Sequence, residues 1–406
     1  MNDLVYKNKR QKRFLIAFVI LLDSFFPLSS ALYLPALPSI AEHYGVSNAT
    51  ANLTLVAFFL TFTVALLIWG PLSDRYGRKP ILFFGMIIFM IGCFFCATAP
   101  SIEQLVFARV IQAAGASGAV VVCSAIVKDV FVGKSQQNIL ALIQSITSIC
   151  PIVAPVLGAF ILTYTSWRGT FYLVFGIGVA VFVVALFYKE TLVEKTNTNI
   201  LNTFARLGVV VKNTRFNLLL IIFAVPSLGF MAFPAAAPYI YQNDFGTSSQ
   251  VFSYYHAIVS IGMLIAPLLF ISLNRAVKNM AKVICYFFVF EVVSSLMICL
   301  FGQTGPMVFT LLVFGVSVGG GLVRPAGMFM MLNIRKDDTG AASSLIGSVT
   351  FFSGTIGMSV VTLFSNYIWG LGFLFLFFNI IATVLWFLFF RNSKLSGEEQ
   401  SQNAVL

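Results

Sequence analysis

The sequence predicts an all-α integral membrane protein, with twelve transmembrane helices in two six-helix bundles. Three observations carry this. The 406 residues are 59% hydrophobic and 10% charged, whereas an average soluble domain is about 25% charged. The apolar residues come in runs of about 18 or more, long enough to cross a bilayer as helices, which satisfy their own backbone groups. One long polar stretch, residues 189–214, divides those runs into six and six.

The runs fall near residues 14–35, 52–72, 80–99, 103–127, 138–162, 169–188, 215–239, 251–272, 282–301, 306–332, 341–365 and 367–390. This organises the chain as an N-terminal segment 1–13, a six-helix half 14–188, a linker 189–214, a second half 215–390 and a polar tail 391–406. Ile200 to Val211 in the linker is mildly amphipathic and suits the membrane surface. The only internal echo is the loop LNRAVKNMAK after span eight, set against the loop after span two.

Charge gives the topology. Basic residues cluster before span one (Lys7, Lys9, Arg10, Lys12, Arg13) and after spans two, four, six, eight, ten and twelve. Arg168 alone falls on the other side. By the positive-inside rule both termini are cytoplasmic and the protein is a multi-pass component of the cell (inner) membrane. The net charge of +11 therefore points to anionic lipid headgroups and not to nucleic acid. The first run is too long for a cleaved signal peptide, and YLPALP is no small-residue cleavage site.

An enzyme is not expected. No stretch remains for a soluble catalytic domain, the chain has two histidines, His43 and His256, and no metal cluster or nucleophile–base pair is legible. The six cysteines all fall inside spans, and the Cys93–Cys96 pair reads as small packing residues.

Charged residues inside the spans are the candidates for function. Asp23 is the tenth residue of span one, about 14 Å along at 1.5 Å per residue, near the midplane. Arg109 is the seventh residue of span four, about 10 Å in. It needs a cavity or a partner, or it snorkels to the outer headgroups. Gln112 shares its face one turn on, and the run Ala113 to Ala119 offers a small surface for close helix contact. Glu291, mid-span nine, reads first as structural, with proton coupling as the second reading. Arg324 in GGGLVRPAGM has two open readings, a cavity-facing cation or a stem snorkelling inward. Gly319 to Gly321 suggest a locally irregular helix.

The loop GPLSDRYGRKP, Gly70 to Pro80, joins spans two and three. Gly70 and Gly77 permit close approach and positive φ. Asp74, Arg75, Arg78 and Lys79 form an acid–base cluster at the membrane edge. In span five, CPIVAPVLGAF, Pro151 and Pro155 free backbone carbonyls and bend the helix, and Gly158 admits a neighbour. Span seven has Pro226, Pro234 and Pro238 around Phe230 and Phe233. This pattern suits an apolar pocket, although a phenylalanine facing lipid is the competing reading in a chain with 44 of them.

GPLSDRYGRKP resembles the signature loop of the major facilitator superfamily. Together with YLPALP, the span-four stretch LVFARVIQAAGASGAVVVCSAIVKDVF and CPIVAPVLGAF, it makes the chain similar to the bicyclomycin-resistance (Bcr/CflA) group of twelve-span drug:proton antiporters, which includes amphenicol exporters. The resemblance covers nearly the whole chain and implies proton-coupled efflux by alternating access. It implies a small amphipathic drug or metabolite as cargo, a monomer, and no cofactor beyond the proton gradient. Asp23 stands ten residues before Tyr33, as an acid does in the amphenicol exporters, and would bind proton or substrate. Arg109 would be the cation acting on it, with proton and substrate competing for one cavity. The second family acid is replaced by Ala31. Spans one, four, seven and ten line the family's cavity, which would give Arg324 a substrate to face, and span nine is peripheral in the family, which would turn Glu291 toward lipid. Asp129 matches an acid expected to meet Arg75 or Arg78 and hold the inside-closed state. CPIVAPVLGAF resembles the exporters' proline–glycine hinge, with Ala154 and Ala159 where glycine is usual.

An importer or exporter of a metabolite on the same fold is the alternative, since fold fixes neither direction nor cargo. A membrane receptor or scaffold without transport is the third reading. A midplane acid speaks against it.

Overall fold

The structure is a computed structural model and describes residues 9–192, 208–277, 280–334 and 339–395. The amphipathic stretch of the linker, the residues before Lys9 and most of the tail lie largely or wholly outside them. Among the described residues twelve helical spans are long and apolar enough to cross a membrane. The chain folds as two compact units, Met1–Thr203 and Phe204–Leu406.

Span one runs past its expected end, from Arg10 to Tyr44, because three prolines break it without ending it. It consists of Lys9–Asp23, Phe25–Ala31, a 3₁₀ turn Leu34–Ala36, and Leu37–Tyr44. Pro27 has no N–H to give the carbonyl of Asp23, four residues back, so the first segment stops there. Pro35 and Pro38 tighten the next turns in the same way. Gly45 closes the span in the left-handed region, φ 63°, where glycine is favoured.

The remaining spans of the first unit are two (Asn48–Tyr76), three (Arg78–Thr98), four (Ile102–Val130), five (Lys134–Thr147 with Cys150–Tyr164) and six (Arg168–Leu186). Those of the second are seven (Thr214–Tyr239), eight (Ser249–Val277), nine (Met280–Phe301), ten (Pro306–Ile334), eleven (Thr339–Val361) and twelve (Tyr367–Leu395). Caps set several starts. Ser47 accepts from the N–H of Thr50 at 3.1 Å, Ser101 from Gln104 at 3.4 Å and Asn213 from Phe216 at 2.9 Å, each satisfying an orphan donor of a first turn.

A repeat that the sequence conceals appears in the packing. Within the first unit span one packs on five, two on four, three on four and three on six. The second unit repeats this as seven on eleven, eight on ten, nine on ten and nine on twelve. One contact recurs at atomic level. A Cβ on Gly158 of span five would fall on the carbonyl oxygen of Leu32 in span one, and a Cβ on Gly357 of span eleven would fall on that of Leu228 in span seven. Each unit therefore has a helix crossing so close that only hydrogen fits between the backbones.

The small face of span four lies against span three. A Cβ on Gly115 would collide with the backbone of Phe89, and one on Gly85 would come within 3.2 Å of the Gly115 carbonyl. One expectation is corrected. Span ten stays helical through Gly319 to Gly321. These glycines provide clearance, since a Cβ on Gly321 would meet Ala266 at 2.7 Å and one on Gly319 would meet the Glu291 side chain. Span five breaks at Ser148–Ile149 and continues unbroken through Pro155. Pro151 sets the break, because it cannot donate to the carbonyl of Thr147.

Candidate functional site

Arg109 does not reach headgroups. It is 0% exposed and held in a cage. Its guanidinium carbon lies 4.0 Å from the Phe58 ring centroid and 4.2 Å from that of Tyr33. Nε donates to the Thr54 carbonyl at 3.3 Å and Nη1 to the Ser29 carbonyl at 3.2 Å. Ser29 closes the Phe25–Ala31 segment, where helix carbonyls run out of donors. Nη1 also donates to Gln112 Oε1, and Gln112 in turn donates to Cys93 Sγ at 3.1 Å. Gln112 fits because its neighbour on span three is Gly92, where a Cβ would collide with the Gln112 backbone. The CxxC cysteines thus solvate an amide as well as fill space. Among the described residues no carboxylate joins the cage, so carbonyl dipoles and ring quadrupoles stabilise the cation.

Asp23 sits elsewhere. It is partly buried at the end of the first segment of span one. It faces Thr147, with Cys123 and Cys150 nearby. Cys123 lies almost four turns from Arg109 on the same helix, roughly 21 Å at 1.5 Å per residue. The expectation that Arg109 acts directly on Asp23 in one shared cavity is therefore corrected. The break in span one and the break in span five meet at this point. Asp23 and Thr147 are each the residue four before a proline, so each has a backbone carbonyl without its helical donor. A carboxylate, a hydroxyl and two freed carbonyls at paired helix breaks resemble the discontinuous-helix sites at which transporters bind ions.

The signature loop forms a clasp. Gly77 alone separates spans two and three, at φ 112°, which requires glycine. Gly70 has a different part: it lies inside the span-two helix with open space where a Cβ would be. Of the two candidate arginines, Arg78 meets Asp129, through Nε at 2.8 Å and Nη2 at 3.2 Å. Its Nη1 bridges to Asp74 at 2.5 Å and Ser73 at 2.8 Å. Arg75 lies over the Tyr76 ring. Glu190 completes the clasp. Its carboxylate accepts the N–H groups of Arg78 at 3.1 Å and Lys79 at 2.9 Å, capping span three. Lys79 Nζ donates to the Tyr188 carbonyl at 2.7 Å, and Thr191 donates to Asp129 at 3.3 Å. Arg78→Ala is expected to cost about 3 kcal/mol, because it strands the partly buried Asp129. Arg78→Lys should recover only part, since an ammonium cannot fork between two carboxylates. Thermal melting in detergent reads both, and a parent-like midpoint for the alanine variant would refute the clasp.

In the second unit Glu291 and Arg324 come together, and Glu291 does not face lipid. It is 2% exposed. Its side chain lies along span ten over Gly319 and Gly320, the latter's Cβ position being 3.4 Å from Oε1. Glu291 and Arg324 line one cavity with Phe223, Pro226, Phe230, Phe375 and Asn379. The guanidinium carbon of Arg324 lies 4.8 Å from the Phe230 ring centroid. Asn379 donates to Ser295 Oγ at 3.3 Å, and Ser295 donates to the Glu291 carbonyl at 2.6 Å. Phe233 does not join this lining. It stacks on His256 at 5.6 Å.

Sequence reasoning missed Glu190, Thr147, Asn379 and the rings of Tyr33 and Phe58. A signal existed for Glu190, the only acid in YKETLV at the end of span six. None existed for the rings, which look like any others in a phenylalanine-rich chain.

The profile of the Major Facilitator Superfamily matches residues 14–358. The chain is 29% identical over 357 residues to an uncharacterized MFS-type transporter, YdgK, of Bacillus subtilis (strain 168), covering 85% of this chain and 88% of that one. It is 31% identical over 263 residues to a chloramphenicol resistance protein of Pseudomonas aeruginosa, covering 64% of this chain and 62% of that one. It is 34% identical over 167 residues to the multidrug resistance protein MdtL of Klebsiella pneumoniae (strain 342), covering 41% and 43%. In fold it is similar to the xylose transporter XylE of E. coli, with a TM-score of 0.68 at 12% identity over 93% of this chain and 97% of that one.

Proposed function

Because this chain belongs to the major facilitator superfamily, whose members are multi-pass membrane transporters and not enzymes, we propose that it exports small drug-like molecules across the cytoplasmic membrane in exchange for protons. One observation carries the reading: a carboxylate of span one, Asp23, sits where the breaks of spans one and five meet. A scaffold has no need of an acid there. The names of the relatives support drugs as cargo, and the basic loops support cytoplasmic termini.

In this scheme Asp23 accepts a proton from outside and releases it inside. The unpaired turns around it let the segments of spans one and five change angle with its charge, which is the local step of alternating access. Arg109 pins the Phe25–Ala31 segment to span four, so movement at Asp23 is passed to a fixed neighbour. Arg78, Asp129, Asp74 and Gly77 clasp the inside-closed state, and Gly158 holds the span-one crossing. The protein acts as a monomer among anionic lipids, with no cofactor. Each proton moving inward through 100 mV supplies about 2.3 kcal/mol.

Purified protein in liposomes with an internal pH dye tests this. Chloramphenicol, or another member of a drug panel, is expected to drive proton movement, and Asp23→Asn is expected to reduce that movement to background. Unchanged coupling in Asp23→Asn removes the role given to that residue. Accumulation of a sugar or an amino acid in place of drugs overturns the choice of cargo.

A further inference from the structure

Glu291 carries a buried oxygen that the fold leaves without a donor. The residue is 2% exposed, and Oε2 has no hydrogen-bond partner among the described residues. Such an oxygen is costly, and native structures rarely keep one without a reason. Arg324 attracts the carboxylate electrostatically. Among the described residues the direct ion pairs are those of Arg78, and Glu291 and Arg324 form none.

The cavity that both residues line has a volume of about 20 Å³. A buried water needs at least about 10–15 Å³ and about two to four polar partners. The space therefore suits one water and is too small for a drug. Its polar lining consists of Glu291, Arg324 and Asn379, and the rest is apolar side chains and Gly320.

These three side chains form a matched set. Ser295 Oγ donates to the Glu291 carbonyl at 2.6 Å, so it accepts from Asn379 Nδ2 at 3.3 Å. That fixes the Asn379 amide and leaves Oδ1 for another donor. A guanidinium can only donate, and a carboxylate oxygen can only accept. A water gives one hydrogen to Oε2 and one to Oδ1, and it accepts an N–H of Arg324. The neighbours hold this arrangement in place. A Cβ on Gly319 would displace the Glu291 side chain, and the guanidinium carbon of Arg324 lies 4.8 Å from the Phe230 ring centroid.

We infer that one ordered water bridges Glu291 Oε2, the Arg324 guanidinium and Asn379 Oδ1, and that this hydrated charge pair braces spans nine, ten and twelve and holds Arg324 against span seven. Arg324 is then spent on Glu291 and is not free for cargo. The two units hold their arginines by different means. Arg109 is stabilised by carbonyls and rings, and Arg324 by an acid through water. The brace is independent of cargo and of the export reading.

A crystal structure of the full-length protein grown from a lipid mesophase, at a resolution that shows ordered water, tests the site on the unmodified chain. Density for one water within hydrogen-bond distance of all three groups is expected. A carboxylate in direct contact with the guanidinium, or a site without density, overturns the inference. Melting in detergent tests the brace, using Glu291→Gln, Arg324→Met and the double variant. Each single variant strands one charge and is expected to lower the midpoint by about 4 °C or more. Arg324 is partly exposed, which keeps the shift below that of a fully buried pair. The double variant removes both charges and is expected to regain at least about half of the larger single loss. Additive losses in the double variant, or parent-like melting of both single variants, overturn the brace.

Discussion

Arg109→Ala is expected to lower the stability of the first unit by about 3 kcal/mol or more. Truncating a large buried side chain to alanine costs about 2–5 kcal/mol in lost contacts and residual void. The Ser29 carbonyl, which ends a helical segment, also loses its donor, at about 1–3 kcal/mol. One effect opposes this. Nη2 of Arg109 is buried without a hydrogen-bond partner among the described residues, so the cation is incompletely compensated, and removing it relieves some desolvation. The two losses outweigh that gain. The opposition does predict a diagnostic variant. Arg109→Met keeps most of the volume between Phe58 and Tyr33 and carries no charge, and such replacements of buried charges are often neutral or stabilising. It should melt within about 1 kcal/mol of the parent while losing drug-driven proton movement, because methionine cannot bind the Ser29 carbonyl. Arg109→Lys should be the less stable of the two, its single ammonium reaching fewer acceptors. Parent-like melting of Arg109→Ala would show that the cage contributes no stability.

Gly158→Ala and Gly357→Ala are expected to destabilise their units by similar amounts, about 1–3 kcal/mol or more, the cost of overpacking a close contact. The new methyl would occupy the carbonyl oxygen of Leu32 in one case and of Leu228 in the other. A carbonyl belongs to the backbone and cannot swing aside as a side chain does, so the helices themselves must part. Gly176 in span six and Gly347 in span eleven have nothing within 4 Å of the Cβ position. Alanine there should be neutral or stabilising by up to about 1 kcal/mol, from helix propensity alone. Melting of the four variants side by side checks the argument. A Gly357→Ala protein as stable as Gly347→Ala would show that the crossing tolerates a methyl group.

The twelve spans were legible because hydropathy is a local property: an apolar run must be a helix if it is to cross lipid. Most boundaries fall within a few residues of those read from the sequence. Span one was the exception, because its prolines interrupt the helix without ending it. The Arg78–Asp129 pair was legible because a buried arginine at a charged loop needs an acid, and the resemblance supplied Asp129. The surroundings of Arg109 and Glu291 were not legible. Both depend on which faces of separate helices meet, and neither uses a motif. A carbonyl donates no sequence signal, so a cation held by Ser29, Thr54 and two rings is invisible in a list of residues. Glu291 seemed lipid-facing because span nine is peripheral in the family. Once Gly319 and Gly320 are seen as its bed, the glycine run and the acid become one feature.

The thiols give the molecule a label of its own. Cys123 is buried and Cys150 partly so, and both lie near Asp23. An S–H bond vibrates in a part of the infrared spectrum where proteins absorb little else, and its frequency follows the local electric field. A charge appearing or vanishing on Asp23 would therefore be recorded by neighbouring bonds already in place. The loading state of the carrier could be followed in the unmodified chain, without dye, tag or substitution.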